Sequence, residues 1–158
     1  MIGLGRFGSS LAVALAQGGH TVLGIDRNQA LVNDMSAHLA HTIGMDATDE
    51  QALREAGLHL FDTVVVAIGA DFESNLMTTV ALKALGTRRV ICKAMTDRQR
   101  TILLRVGADQ VILPEIEAGQ RLAQDLMAPT IFSRLYLSES YGIVERRVPD
   151  RLAGMTLS

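Results

Sequence analysis

The chain has 158 residues, 48% of them hydrophobic and 20% charged, enough for one domain with a full core and a little more. Its net charge of −2 leaves no basic stripe of the kind nucleic acid requires, and no apolar run is long enough to span a bilayer. A lone Cys92 excludes an internal disulfide and fits a reducing compartment, so the expected location is the cytoplasm, with any membrane work done as a peripheral partner.

In chain order, Met1 and Ile2 read as the stump of a strand, followed by a glycine turn and a helix over residues 6–17. Phe7, Leu11, Ala14 and Leu15 carry the helical spacing, and Gly18-Gly19 ends it. Residues 21–25 form a short β run closing on Asp26, and Asn28 caps a helix to about residue 38. A strand over 41–45 leads to Asp46-Ala47-Thr48, and Thr48 with Gln51 has capping-box spacing for a short helix ending at Gly57.

Residues 61–68 hold the uninterrupted apolar run Val64-Val65-Val66-Ala67-Ile68, which suits a central parallel strand covered on both faces. A long helix over 73–85 follows the Gly69-Ala70-Asp71 turn, then a strand over 89–93. Thr96 and Gln99 repeat the capping-box spacing and open a helix that stops at Gly107. A strand over 110–113 is halted by Pro114, and a last helix covers 116–127. Strand and helix alternate six times with short connections. That rhythm predicts an α/β fold with a doubly wound, Rossmann-like, six-stranded parallel sheet in the order 3-2-1-4-5-6.

The pattern then changes. Residues 130–139 read as a mixed linker with some helix, 141–148 as a new strand, and 149–158 as an unfinished stretch. The expected division is a nucleotide-binding domain over 1–128, a linker over 129–140, and over 141–158 the start of a truncated C-terminal domain. With so short a first strand, the chain reads as cut at both ends.

The chemistry gathers at Gly3, Gly5 and Gly8, a G-x-G-x-x-G turn between strand and helix that aims unpaired helix N–H groups at a phosphate. Asp26, at the end of the second strand, would take ribose hydroxyls. The alternative is that the three glycines only permit close helix–strand packing. Arg27 beside Asp26 suggests a 2′-phosphate, but the acid would repel it, so Arg27 reads as solvent-facing. Asp46 and Thr48, like Gly69 and Asp71, lie past strand ends on the carboxyl edge of the sheet, where open sheets bind ligands; plain helix capping is the other reading. Arg6 puts a cation against the positive end of a helix dipole, which makes sense beside an anion such as a terminal phosphate; otherwise its stem merely covers apolar surface. No Tyr-x-x-x-Lys, G-x-S-x-G or Ser/His/Asp pattern occurs, so a binding domain without catalysis is expected.

Together, Ile2 to Gly8, Asp26, Asp46-Ala47-Thr48, Val66-Ala67-Ile68-Gly69, Val90 to Ala94, Gly107-Ala108-Asp109 and Leu113-Pro114-Glu115 resemble the RCK (TrkA-N) regulators of Trk/Ktr potassium uptake, most closely the Ktr type. The resemblance implies a non-enzymatic gating subunit, a homodimer assembling into a ring beneath a membrane potassium transporter at the inner face of the membrane. It implies ATP/ADP or NAD(H) as ligand, with Gly3, Gly5 and Gly8 at the phosphates, Asp26 at the ribose, and Asp46 and Ala47 on the adenine side. It also implies a phosphate contact from Arg6 that reaches a neighbouring subunit's nucleotide. Phe7, Arg27, Thr48, Ile68, Gly69 and Lys93 complete the implied nucleotide set. Glu115 matches a family acid that helps hold a divalent cation at the phosphates, and otherwise reads as an ordinary first-turn helix acid. An NAD(P)-dependent oxidoreductase fragment is the alternative.

Overall fold

The computed structural model describes residues 1–127, 131–136 and 142–146. The chain divides into two compact units, Met1–Pro114 and Glu115–Ser158.

In the first unit the elements run α1 Arg6–Gln17, β1 Leu23–Asp26, α2 Gln29–Met35, β2 His41–Gly44, α3 Glu50–Glu55, β3 Val64–Val66, α4 Phe72–Ala84, β4 Val90–Lys93, α5 Asp97–Arg105 and β5 Gln110–Ile112. Strands β1 and β2 pair in parallel, as do β3 with β4 and β4 with β5. Between these two ladders lies Ile2, which bridges in parallel to Ile25 on one side and to Val66 on the other. Its N–H donates to the Val65 carbonyl at 2.8 Å and its carbonyl accepts from Ala67 at 2.7 Å, while Gly3 N–H donates to Ile25 at 2.8 Å. The six strands expected from the alternation are therefore five strands and one bridging residue, because only Met1 and Ile2 precede the glycine turn.

The alternation of side chains along β3 divides the core. Val64 and Val66 join the cluster that contains Leu53, Ala81, Leu82 and Leu103 from α3, α4 and α5. Val65 and Ala67 join the cluster that contains Ala12, Val32 and Met35 from α1 and α2. A strand buried on both faces needs no polar residue in either register, which is why this stretch is uninterruptedly apolar.

Several boundaries differ from those read in the sequence. The apolar run over 61–68 contains a strand of only three residues, Val64–Val66, and a 3-10 turn over Leu58–Leu60 precedes it. The second helix stops at Met35, with the Ser36 N–H turning back to Asn33 and Val32. Thr48 does not cap α3. Asp49 does, accepting from Gln51 and Ala52 N–H, while the Thr48 hydroxyl donates to Asp46. Helix α3 starts one residue later than the spacing implies, at Glu50, so Asp49 and not Thr48 stands at the N-cap position. The Thr96 cap on Gln99 N–H is present as read, and Gln99 Oε1 reaches back to Met95 N–H at 2.9 Å.

In the second unit, α6 covers Pro114–Met127, and β6 Ile131–Tyr136 pairs antiparallel with β7 Gly142–Arg146. Residues 131–136 are thus strand rather than a linker with helix; the expected stretch over 149–158 lies outside the described residues.

Two side chains tie strands to helices where the sequence signals are weakest. Asn75, 1% exposed on α4, donates from one amide nitrogen to the Ile68 carbonyl at 2.7 Å and the Lys93 carbonyl at 2.9 Å, clamping the chain just past β3 to the end of β4. Asp109 accepts from Val90 N–H at 2.7 Å and from Lys83 Nζ at 3.0 Å.

Removing the Asn75 amide deletes both of these hydrogen bonds, so Asn75→Ala should cost about 1–3 kcal/mol in urea unfolding. Asn75→Asp should cost more, because it faces a carboxylate with two carbonyl oxygens; stability equal to the parent would contradict the clamp. The Val90 N–H, and then Lys83, hold the Asp109 carboxyl below the usual carboxylate range, and Asp46 and Asp71 shift the same way. A carboxyl with a lower pKa in the folded state stabilises the fold above its unfolded value and ceases to do so as pH falls through the folded one. Thermal stability should therefore drop below about pH 4, and Asp109→Asn should flatten part of that decline. An identical pH profile for the variant would remove Asp109 from the account.

Candidate nucleotide-binding site

The first turn is built by close approach. Gly3 has φ +89, and a Cβ there would lie 3.0 Å from the Ala67 carbonyl carbon. A Cβ on Gly8 would collide with the Gly3 carbonyl oxygen and press on Ala67, so the third glycine lets α1 sit against the turn and β3. Gly5 differs: a Cβ there would meet nothing within 4 Å. It is the N-cap of α1, whose first turn has neither a side-chain cap nor an acid. Helices α2, α3, α4 and α5 are each capped by a side chain, from Asn28, Asp49, Asp71 and Thr96. The start of α1 therefore presents open backbone donors and a positive dipole end beside empty space.

Beside this turn, at the carboxyl edge of the parallel strands, lies a cleft of about 280 Å³. Gly3, Gly5, Asp26, Arg27, Asp46, Ala47, Thr48, Ile68 and Gly69 all line it, together with Asp71 and Ser74. The Asp26 carboxylate accepts from Leu4 N–H at 2.7 Å and from Asn28 N–H at 2.8 Å, which fixes it between the glycine turn and α2. A carboxylate has roughly four lone-pair sites, so capacity remains for two hydroxyls. Asp46 accepts from Thr48 N–H at 2.9 Å and the Thr48 hydroxyl at 2.8 Å, and these bonds, the backbone one first, lower its pKa. Asp71 caps α4, accepting from the Ser74 hydroxyl at 2.6 Å and Ser74 N–H at 3.0 Å; the hydroxyl bond is the larger cause of its lowered pKa. Ala47 is buried, and its carbonyl accepts from Thr78 at 3.0 Å.

The remaining expected residues fall elsewhere. Gly8 is buried behind the turn, in the packing role, and Arg6 is exposed with no ion-pair partner among the described residues. Phe7 lies beside Lys93, whose Nζ is 5.7 Å from the ring centroid and whose side chain also runs over Gly69. Glu115 stands in the first turn of α6, in the second unit. Arg27 does not point away into solvent alone: Nη1 is 3.8 Å from Asp71 Oδ2. Sequence reasoning passed over Asn75 and Ser74. The signal for Asn75 was three polar residues, Asn75, Thr78 and Thr79, on one face of a helix whose opposite face carries exposed Met77 and Val80.

The four histidines are exposed, and no group of three or more His, Cys, Asp or Glu that could hold a metal exists among the described residues. Cys92 is buried against Thr79, and burial pushes its thiol up, the opposite of an activated nucleophile. No helix of the described residues is long and apolar enough to cross a membrane.

The TrkA-N domain family model matches residues 1–114. The Ktr system potassium uptake protein C of Bacillus subtilis (strain 168) is 38% identical over 99% of this chain and 71% of its own length. The Ktr system potassium uptake protein A of Vibrio alginolyticus is 33% identical over all of this chain and 72% of its own length. Among solved structures, the NAD(P)-binding domain of an exopolyphosphatase-related protein from Archaeoglobus fulgidus superposes with a TM-score of 0.71 at 23% identity, covering 80% of this chain and 94% of its own. At that identity the likeness concerns the fold, a Rossmann-like α/β domain. The chain belongs to the TrkA-N (RCK) family and, within it, to the Ktr type.

Proposed function

We propose that this chain is the nucleotide-sensing regulatory subunit of a potassium-uptake system, taking ATP/ADP or NAD(H) into the cleft beside the glycine turn and carrying out no chemistry on it. The observation that carries the reading is the combination at Gly5. An uncapped helix start faces open space, and a carboxylate with spare acceptor capacity, tied to the glycine turn through Leu4 N–H, lines the same cleft. Phosphate oxygens suit the first feature and ribose hydroxyls the second. The Ktr relatives supply the potassium-uptake context.

In this reading Gly3, Gly5 and the N–H groups of α1 receive the phosphates, Asp26 the ribose, and Asp46, Ala47, Thr48 and Ile68 the adenine side. Arg6 reaches a terminal phosphate, its own or a neighbouring subunit's, and Lys93 adds positive potential near Gly69. Gly8 supports the turn rather than touching ligand. A divalent cation at the phosphates would need few protein donors, since magnesium is commonly held by one or two carboxylates plus phosphate oxygens. The six-stranded order 3-2-1-4-5-6, with Ile2 as the first strand, and a domain reaching to residue 128 belong to the same reading.

Regulation follows from differential affinity. If homodimers assemble into a ring at the cytoplasmic face of a membrane transporter, two nucleotides that prefer different ring shapes shift the population of open transporter. A ligand with equal affinity for both shapes shifts nothing, however tightly it binds.

Two substitutions test this. Gly5→Asp places a strong N-cap on α1, so stability should hold or rise by up to about 1 kcal/mol. The same carboxylate occupies the phosphate position, so ADP and NAD affinity measured by calorimetry should fall at least roughly tenfold. Undiminished affinity would falsify the phosphate assignment. Arg6→Ala should weaken ATP by about tenfold and NAD much less, and equal small losses would remove Arg6 from the site. Hydride transfer from any hydroxy acid to NAD would overturn the non-enzymatic reading.

A further inference from the structure

The cleft's charges are unevenly distributed. Among the described residues that line it, Arg27 is the one cationic side chain, against three carboxylates, Asp26, Asp46 and Asp71. Asp26 ends β1 and the other three stand on the loops that follow β1, β2 and β3, whereas the start of α1 supplies positive potential at the glycine turn. The helix start thus favours phosphate, and the carboxylates oppose a phosphate placed beside Arg27.

Arg27 occupies the place where the fold can accommodate a phosphate on the ribose 2′ position, directly after the acid that ends β1. Here the guanidinium has an ion-pair partner beyond hydrogen-bond distance: Nη1 is 3.8 Å from Asp71 Oδ2, and both residues line the cleft. Asp71 cannot readily turn away, because Ser74 holds both of its oxygens, one through the N–H and one through the hydroxyl. We infer that Asp71, by pairing with Arg27, is a specificity-determining residue that makes the cleft disfavour adenosine nucleotides carrying a 2′-phosphate. A 2′-phosphate entering there meets Asp26 and Asp46 and finds its natural counter-ion neutralised. A nucleotide phosphorylated only at the 5′ side meets no such opposition. This inference rests on the reading of the cleft as a nucleotide site.

The pair is partly solvated, with side chains 69% and 39% exposed, so its effect is graded and screened by salt. The experiment compares NAD and NADP binding to the full chain by calorimetry at low and at physiological ionic strength. The parent should prefer NAD at least roughly tenfold, and less so as salt rises. Asp71→Asn keeps a good N-cap on α4 while releasing the guanidinium, and should reduce the NAD-to-NADP preference about fivefold or more. Adding Arg27→Ala to that variant should restore the preference. A parent that binds NADP as tightly as NAD overturns the inference, as does an Asp71→Asn preference equal to the parent's or one that stays reduced without Arg27. Failure of the parent to bind NAD, ADP or ATP at all would instead defeat the nucleotide reading itself. The two failures are therefore separable.

Discussion

The close approach of α1 to the turn that precedes it is the constraint on which the rest of the first unit depends. Gly8 lies against the Gly3 carbonyl and against Ala67, where any Cβ would collide. That contact sets how near the helix start can come to β3, and so where its open N–H groups point. The same short segment is hydrogen-bonded on both sides, through Ile2 to Val65 and Ala67 and through Gly3 to Ile25. One bridging residue thereby joins two parallel ladders, and the cleft forms where their carboxyl ends meet the glycine turn. Fold and site share the same few atoms.

Around that turn, polar residues do most of the positioning. Asp26 ties the glycine loop to the start of α2, Asp46 closes its own loop through Thr48, and Asn75 joins the ends of β3 and β4. Each bond takes up a backbone group in the stretches that follow or end the parallel strands, where buried polar groups need partners. The consequence is a cleft whose walls are held without a ligand. It combines the positive dipole end of α1 with the carboxylates of Asp26, Asp46 and Asp71.

The helix caps explain why some sequence signals were reliable and others not. Thr96 and Asn28 act as caps as read, Thr96 accepting from Gln99 N–H and Asn28 from Ala30 N–H. Thr48 has the same spacing to Gln51, yet Asp49 takes the cap and Thr48 turns to Asp46. Which of two adjacent oxygens reaches a helix start depends on backbone direction, which spacing does not encode. Likewise, the apolar run before Gly69 announces a central strand, but its length on each side is set by where neighbouring backbones remain within reach.

By itself the sequence determined the alternation of elements, the parallel α/β class, the glycine turn with its acid at the end of β1, and the family, since these rest on local spacing and residue type. Only the tertiary structure decided which residues share the cleft. It separated Gly5, which faces open space, from Gly8, which is buried, though both are glycines of one motif. It also paired Arg27 with Asp71, 44 positions apart in the numbering and on loops after different strands. A charge's partner is chosen by the crossover of the chain between strands. Neither residue's own neighbourhood carries that information.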